Sequence, residues 1–405
     1  MNKVCTEHLE PGMVLARNVS GADGSILLQK GLELEPEHIE LLADAGQGSV
    51  MVQPTRTRED QQRIVNQSLD YVRSFFMVVD PDSPVFNEIF RLVLEETVKA
   101  VHKGWDLPCQ SELRAYDVEH LDDLFVKDEG KPEDIVTHET ELVSFPDIYF
   151  KIKDVLDAPS SSADDIARVV NTDMSLAAKL LKLVNSPFFG FPTTIDSVAR
   201  AVSLIGVREL STLALGISAI NFFKDIPPEL ISMKVFWRHS LSCAVFGKLI
   251  ATRANLPAER FFTAGLLHDA GRLILFKNMP KASTQALLFA RNNLIPLVDA
   301  ENEVMDYDHT TIGKDLLEAW QFPTSLTDII AHHHSPMAAD TPKDAAVIQL
   351  ADNMANAAEI SAGGTFVLPG MDDGAWDLLG LEVETFKHLF ADHARNIDEI
   401  VNSFL

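Results

Sequence analysis

Residues 264–273 read Ala-Gly-Leu-Leu-His-Asp-Ala-Gly-Arg-Leu, an apolar helical run that ends on an adjacent histidine and aspartate. Imidazole and carboxylate groups from separate helices can converge on one divalent cation, to which they offer nitrogen and oxygen ligands. A single His-Asp pair occurs often by chance. Its significance therefore depends on further ligands elsewhere in the chain.

Such residues flank the pair on both sides. His239 lies about thirty residues before His268, and Asp352 lies about eighty residues after Asp269. Six of the thirteen histidines fall between positions 239 and 334. A bound divalent ion can polarise a phosphoryl oxygen and acidify a water molecule, so this ordered set indicates metal phosphohydrolase chemistry.

This ordered set resembles the HD superfamily of metal-dependent phosphohydrolases. Residues 173–190, Asp-Met-Ser-Leu-Ala-Ala-Lys-Leu-Leu-Lys-Leu-Val-Asn-Ser-Pro-Phe-Phe-Gly, narrow the resemblance to the HDOD domain (HD-related output domain). Later landmarks are Trp-Arg-His-Ser at 237–240, Trp-Gln-Phe-Pro at 320–323 and His-His-Ser-Pro at 333–336. The resemblance implies an all-helical domain of bacterial signal transduction, and residues 9–52 are similar to a module found ahead of HD-GYP domains.

The resemblance also implies a site. One divalent ion (iron, manganese, zinc or magnesium) is expected on the residues at the matching positions, which are His239, His268, Asp269 and Asp352, while His309 and His333 are available for a second ion. If the chain is an enzyme, Asp269 and Arg272 are its expected catalytic residues. HD-GYP phosphodiesterases carry a lysine where Arg272 stands, and their GYP signature is missing, so cyclic-di-GMP hydrolysis is not expected.

Two alternatives remain for these histidines. The site is either a metal centre or a relic, in which Asp269 accepts a hydrogen bond from His239 or His268 and fixes helix packing. If residues 332–334 are helical, their side chains point about 100° apart. We therefore predict that His333 faces the site, and that His332 and His334 face solvent or lie outside the ligand set.

The fold prediction is a mainly α-helical chain, a helical HD-like (HDOD) domain with a small N-terminal α+β module. Short runs punctuated by glycine precede Val52, and helical periodicity follows it. The predicted divisions are an α+β module (1–55), a helical connector (56–115), an acidic linker (116–141), the HDOD domain (142–357) and a C-terminal helical extension (358–405).

The charge bears on the partners. The chain carries 34 Lys and Arg against 60 Asp and Glu, a net charge of −26 without a dense basic cluster. That charge balance argues against binding to nucleic acids or membrane surfaces. It also argues against a DNA-binding helix-turn-helix motif at 163–185. The N-terminus has no signal-peptide pattern and the three cysteines are scattered, which favours a cytoplasmic location.

Two functions compete. The favoured one is a regulatory protein that contacts other signalling proteins, with self-association left open. The alternative is a metal-dependent phosphohydrolase or phosphodiesterase that acts on a nucleotide or cyclic nucleotide.

Overall fold

The structure is a computed structural model of the chain. It describes residues 2–21, 24–53, 58–103, 105–107, 147–158, 162–207, 231–358, 367–372 and 374–404, together with residues 210, 211, 213, 214 and 217. The predicted acidic linker, 116–141, lies outside the described residues. The chain divides into two compact units, one formed by residues 1–77 and 89–123, the other by residues 78–88 and 124–405.

The first unit begins with the predicted small α+β module. Its elements are β1 (Asn2–Cys5), β2 (Val19–Ser20), β3 (Ile26–Leu28), α1 (Pro36–Asp44) and β4 (Ser49–Val52). Strand β1 pairs antiparallel with β4, and β2 pairs antiparallel with β3. Alternate residues of β4, Val50 and Val52, join Leu15, Leu34 and Leu42 in one apolar core. The sequence had not predicted β1, nor that Cys5 is disulfide-bonded.

Two longer helices follow. Helix α2 (Arg58–Arg73) lies in the first unit, as do residues 89–102 of α3 (Pro84–His102). Tyr71 meets Phe75 and Trp105 edge to face at ring centroid distances of 5.2 and 5.8 Å.

The regular elements in the described part of the second unit are all helices, which confirms the predicted mainly α-helical fold class. Its helices are α4 (Asp147–Asp157), α5 (Ala163–Val170), α6 (Met174–Val184), α7 (Val198–Ile205), α8 (Met233–Arg253), α9 (Ala258–Leu267), α10 (Ala270–Asn278), α11 (Pro280–Asn293), α12 (Leu297–Met305), α13 (His309–Ala319), α14 (Thr324–Ala331), α15 (Pro342–Ala358), α16 (Ala375–Leu379) and α17 (Phe386–Phe404).

Local sequence sets several of these helix ends. Ser162 and Asp165 form the predicted capping box at the start of α5, and Asp173 caps α6 by accepting the backbone N–H of Leu176. Asn185 ends α6 and also donates to and accepts from the backbone of Ile195, at 2.8 and 2.7 Å.

Helix α8 is the centre of the second unit, and it packs against α9, α15 and α17. Two glycines allow backbones to approach closely here. A Cβ at Gly265 would lie 2.6 Å from the backbone nitrogen of Ala244 in α8, and one at Gly271 would lie 2.0 Å from the carbonyl oxygen of His309 in α13. Gly271 therefore lets α10 come within reach of the first residue of α13.

Among the described helices, none combines the length and the apolar character that crossing a membrane requires.

Candidate metal centre

The structure brings together the four residues predicted for the first ion, from two helices and one junction between helices. His239 lies on α8, His268 and Asp269 join α9 to α10, and Asp352 lies on α15. All four side chains are buried. His239 Nε2 is 3.1 Å from Asp352 Oδ1 and 3.8 Å from Asp269 Oδ2. His268 Nε2 is 3.5 and 3.4 Å from the same two oxygens.

The orientation of His268 leaves one ring nitrogen available. Its Nδ1 lies 2.8 Å from the carbonyl oxygen of Gly265, to which it donates, so Nε2 is the nitrogen that faces the carboxylates. Burial alone would lower the pKa of His268, but the negative charge of Asp269 raises that pKa well above its ordinary value. Within the described part of the chain, neither His268 Nε2 nor either ring nitrogen of His239 has a hydrogen-bond partner of acceptable geometry. Buried polar atoms are normally paired, and a cation between imidazole and carboxylate would satisfy these.

A second group lies beside the first. It consists of His309, the first residue of α13, with His333 and His334 from the turn after α14. The Nε2 atoms of His309 and His334 are 3.2 Å apart. His333 donates Nδ1–H to the carbonyl oxygen of Ile330 at 2.7 Å, and its Nε2 has no partner among the residues described. The three imidazoles can thus offer nitrogen ligands to one ion.

Asp269 lies between the two groups. Its Oδ2 is nearest to His268, whereas its Oδ1 is 3.3 Å from His309 Nε2. Burial alone would raise the pKa of Asp269, but the charge of Arg272, whose Nη1 is 2.7 Å away, and the surrounding histidines lower that pKa well below its ordinary value. An ionised aspartate at this position can serve both groups at once.

Burial dominates at His333. Together with repulsion from His268 and His309, it lowers the pKa of His333 to about 3. The ring is therefore neutral at physiological pH, which is the protonation state that a metal ligand needs. The residues of both groups fit divalent ions, because buried imidazole nitrogens without hydrogen-bond partners are gathered around buried carboxylates.

A small, partly open cavity adjoins the two groups. Arg272, His334 and Asp352 line it on one side, and Leu297, Val367 and Pro369 are among its apolar lining residues. Its volume is about 10 Å³, room for roughly one water molecule. As it stands, the cavity admits an ion or a water molecule but not a nucleotide.

Val367 and Pro369 line this cavity, and the segment to which they belong, residues 367–372 (called the cover below), is held by side chains of α15. Asn353 Nδ2 donates to the carbonyl oxygen of Gly370 at 2.8 Å. Gln349 Oε1 accepts the backbone N–H of Asp372 at 3.1 Å, while its Nε2 donates to the carbonyl oxygen of His334 at 3.1 Å. One glutamine thus ties the cover to the turn that carries the second histidine group.

Comparison with known proteins agrees with this architecture. The family model of the HDOD domain matches residues 142–336. This part of the chain is an HDOD domain. A protein of Treponema pallidum (strain Nichols) without an assigned function is 24% identical over 197 residues, which are 48% of this chain and 38% of that protein. The chain thus matches well under two thirds of that relative's length.

Two solved structures share the fold. One, from Shewanella amazonensis, has a name that suggests a phosphohydrolase; it is 19% identical, with a TM-score of 0.54 over 67% of this chain and 98% of that one. The other is an HDOD domain protein of unknown function from Geobacter sulfurreducens, 23% identical, with a TM-score of 0.51 over 67% and 99% of the two chains. At these identities the likeness shows the fold alone.

Within the HDOD domain, the structure differs from one sequence expectation. The prediction for residues 332–334 assumed helical spacing, but α14 ends at Ala331 and the three histidines follow in a turn. His332 lies at the edge, where its side chain is 30% exposed and its Nδ1 is 3.0 Å from Asp328 Oδ1. His334, which we had placed outside the ligand set, instead joins His309 and His333.

Sequence reasoning also missed Glu301. Its side chain is buried, and its Oε2 lies 2.5 Å from His309 Nδ1. No local pattern marks a glutamate on α12 as a histidine partner, because the contact depends on how the chain turns between α12 and α13.

Proposed function

We propose that this chain is a metal-binding regulatory protein of bacterial signal transduction, whose HDOD domain acts by contacting other proteins. One observation carries the proposal: the ligand groups are buried and the cavity beside them, of about 10 Å³, is water-sized. A catalyst needs room for its substrate, whereas a structural centre needs only its ions. The acidic surface charge supports protein partners over nucleic acid or membranes.

In this proposal two ions are held by the two groups. His239, His268 and Asp352 would hold one, His309, His333 and His334 the other, and Asp269 would contact both. Without cations, these buried polar groups would lower the stability of the domain, because several of their atoms lack a partner. The ions would thereby fix the relative positions of α8, α10, α13 and α15, and so the surface that the domain presents.

The second candidate is a metal-dependent phosphohydrolase, which the completeness of the ligand set favours. When bound, divalent ions supply charge that polarises a phosphoryl oxygen and acidifies water. Arg272 is the residue of this chain that lines the cavity with a cationic side chain suited to an anionic substrate. Residues 367–372 would have to move away before an organic phosphate could enter.

Elemental analysis tests the metal part of the proposal. Protein purified without chelator should contain up to two equivalents of a divalent metal, and His268→Ala and Asp269→Ala should lose most of it. His388→Ala is the matched control, because His388 is an exposed histidine of α17. Equal metal content in the wild type and both site variants would mean that the site is a relic.

A hydrolysis screen separates the two candidates. Metal-loaded protein is assayed against cyclic dinucleotides, nucleoside phosphates and a generic phosphodiester, alongside the double variant Gln349→Ala/Asn353→Ala, which removes the side-chain bonds to the cover. Silence from both proteins is expected for a regulatory protein. Turnover that Asp269→Ala abolishes would replace the regulatory proposal with the enzyme, and turnover in the double variant alone would identify a latent enzyme.

A further inference from the structure

Glu301 contacts His309 twice through one oxygen. Oε2 accepts the backbone N–H of His309 at 3.0 Å and lies 2.5 Å from Nδ1 of the same residue. The glutamate side chain is 3% exposed. Glu301 lies on α12 and His309 begins α13, so the contact spans the turn between two helices.

These contacts decide which nitrogen of His309 carries the proton. Since Oε2 already acts as an acceptor toward the backbone N–H, the short contact with Nδ1 requires Nδ1 to be the donor. In its neutral form the imidazole carries one ring proton, so with Nδ1 protonated the lone pair available to a metal ion is on Nε2.

That lone pair faces other acceptors. His309 Nε2 is 3.3 Å from Asp269 Oδ1 and 3.2 Å from His334 Nε2. A proton on His334 Nε2 satisfies the second contact. The first contact needs a positive charge, which either a second ring proton on His309 or a bound cation supplies, and a divalent cation would serve Asp269, His309 and His334 together.

We propose that Glu301 is the positioning residue of this centre: by holding the Nδ1 proton of His309, it fixes Nε2 as a metal donor toward Asp269 and His334. The inference rests on the proposed metal binding. It names a residue that supports only one of the two proposed ion sites, the one that includes His309. Carboxylates that hold a metal-bound histidine in this way typically account for about 10- to 100-fold in metal affinity.

The first test reads the ring proton directly, in metal-free protein labelled with ¹⁵N-histidine. The His309 signals in long-range ¹H–¹⁵N spectra are assigned as those that disappear in His309→Gln. They should show the Nδ1–H form of the ring in the wild type. Glu301→Gln should show the same form, because its amide oxygen can still accept the Nδ1 proton in a hydrogen bond. Glu301→Leu should lose that preference. A wild-type ring without a proton on Nδ1 would overturn the inference whatever the metal content.

The second test is titration with Zn²⁺ against a chromophoric chelator. In Glu301→Leu one of two Zn²⁺ equivalents should weaken by about 10- to 100-fold, matching His334→Ala rather than His239→Ala. Glu301→Gln should weaken it less. Asp308→Asn is the matched control, because it removes a neighbouring acidic charge but keeps a side chain that can cap α13 through the backbone N–H groups of Thr310 and Thr311.

The outcomes separate this inference from the proposed function. Wild-type protein that binds no Zn²⁺ would overturn both. Wild-type protein that binds two equivalents, with Glu301→Leu of unchanged affinity, would overturn only the role of Glu301. Equal weakening in Asp308→Asn and Glu301→Leu would also overturn it, since any change at the start of α13 would then suffice.

Discussion

His393 should make the stability of the second unit fall in mild acid. This histidine of α17 is buried against α8, where its ring stacks on Phe246 at a centroid distance of 4.2 Å and its Nε2 lies 3.0 Å from Ser242 Oγ. Burial lowers the pKa of His393 from 6.5 to about 3; nearby Arg238 lowers it further, and Asp398 opposes both. The folded protein therefore keeps this ring neutral in mild acid.

The magnitude follows from proton linkage. The unfolded chain binds a proton at His393 as the pH falls through 6.5, while the folded chain does not bind it until about pH 3. The stabilisation by the neutral ring is thus complete above pH 6.5 and is lost as the pH falls toward 3. At about 1.36 kcal/mol per pH unit, the free energy of unfolding should decrease by about 2 kcal/mol between pH 7 and pH 5 on account of this residue.

Urea denaturation at pH 7 and pH 5, in the presence of chelator, measures this contribution as a difference between variants. His393→Gln keeps a side chain that can hydrogen-bond Ser242 but does not titrate, so its stability should change by about 2 kcal/mol less than that of the wild type. His388→Gln, at an exposed position of the same helix, should behave as the wild type does. If His393→Gln and the wild type lose equal stability on acidification, the reasoning from burial is wrong.

Three further outcomes are expected. Gly271→Ala should destabilise the protein by about 1–3 kcal/mol and lower its metal content, because the new Cβ would meet the His309 carbonyl oxygen at 2.0 Å. The control is Gly313→Ala, whose Cβ would have Ile330 Cγ2 as its nearest neighbour at 3.4 Å. It should change both stability and metal content less. Removing metal with a chelator should lower the thermal midpoint of unfolding. The lost stability is about 2.7 kcal/mol for each ion, if the free ion was present at 100 times its dissociation constant. An unchanged melting curve would contradict a structural role of the ions. Asn185→Ala should cost about 1–3 kcal/mol through its lost bonds to backbone groups, with full metal content, and a loss of metal would show that this loop supports the centre.

Local sequence predicted the features that depend on neighbouring residues. The Ser162–Asp165 capping box and the Asp173 cap determine where α5 and α6 begin, because capping is a contact within one helical turn. Likewise, short runs punctuated by glycine predicted small strands before Val52, among them β4. Strand β1 was missed because its four residues become a strand through pairing with β4 some fifty positions later.

At the site, the sequence by itself determined the residue types: imidazoles and carboxylates at positions 239, 268, 269, 309, 333 and 352, in an order that the family resemblance made interpretable. Only the tertiary structure decided which of them meet, and which others join them. His334 joins because α14 stops at Ala331, and Glu301 joins because the turn after α12 brings its carboxylate back to His309. The physical reason is that periodicity fixes the direction of a side chain relative to its own helix only. A ligand site also needs the positions of several helices relative to one another, and close packing at residues such as Gly271 sets those positions.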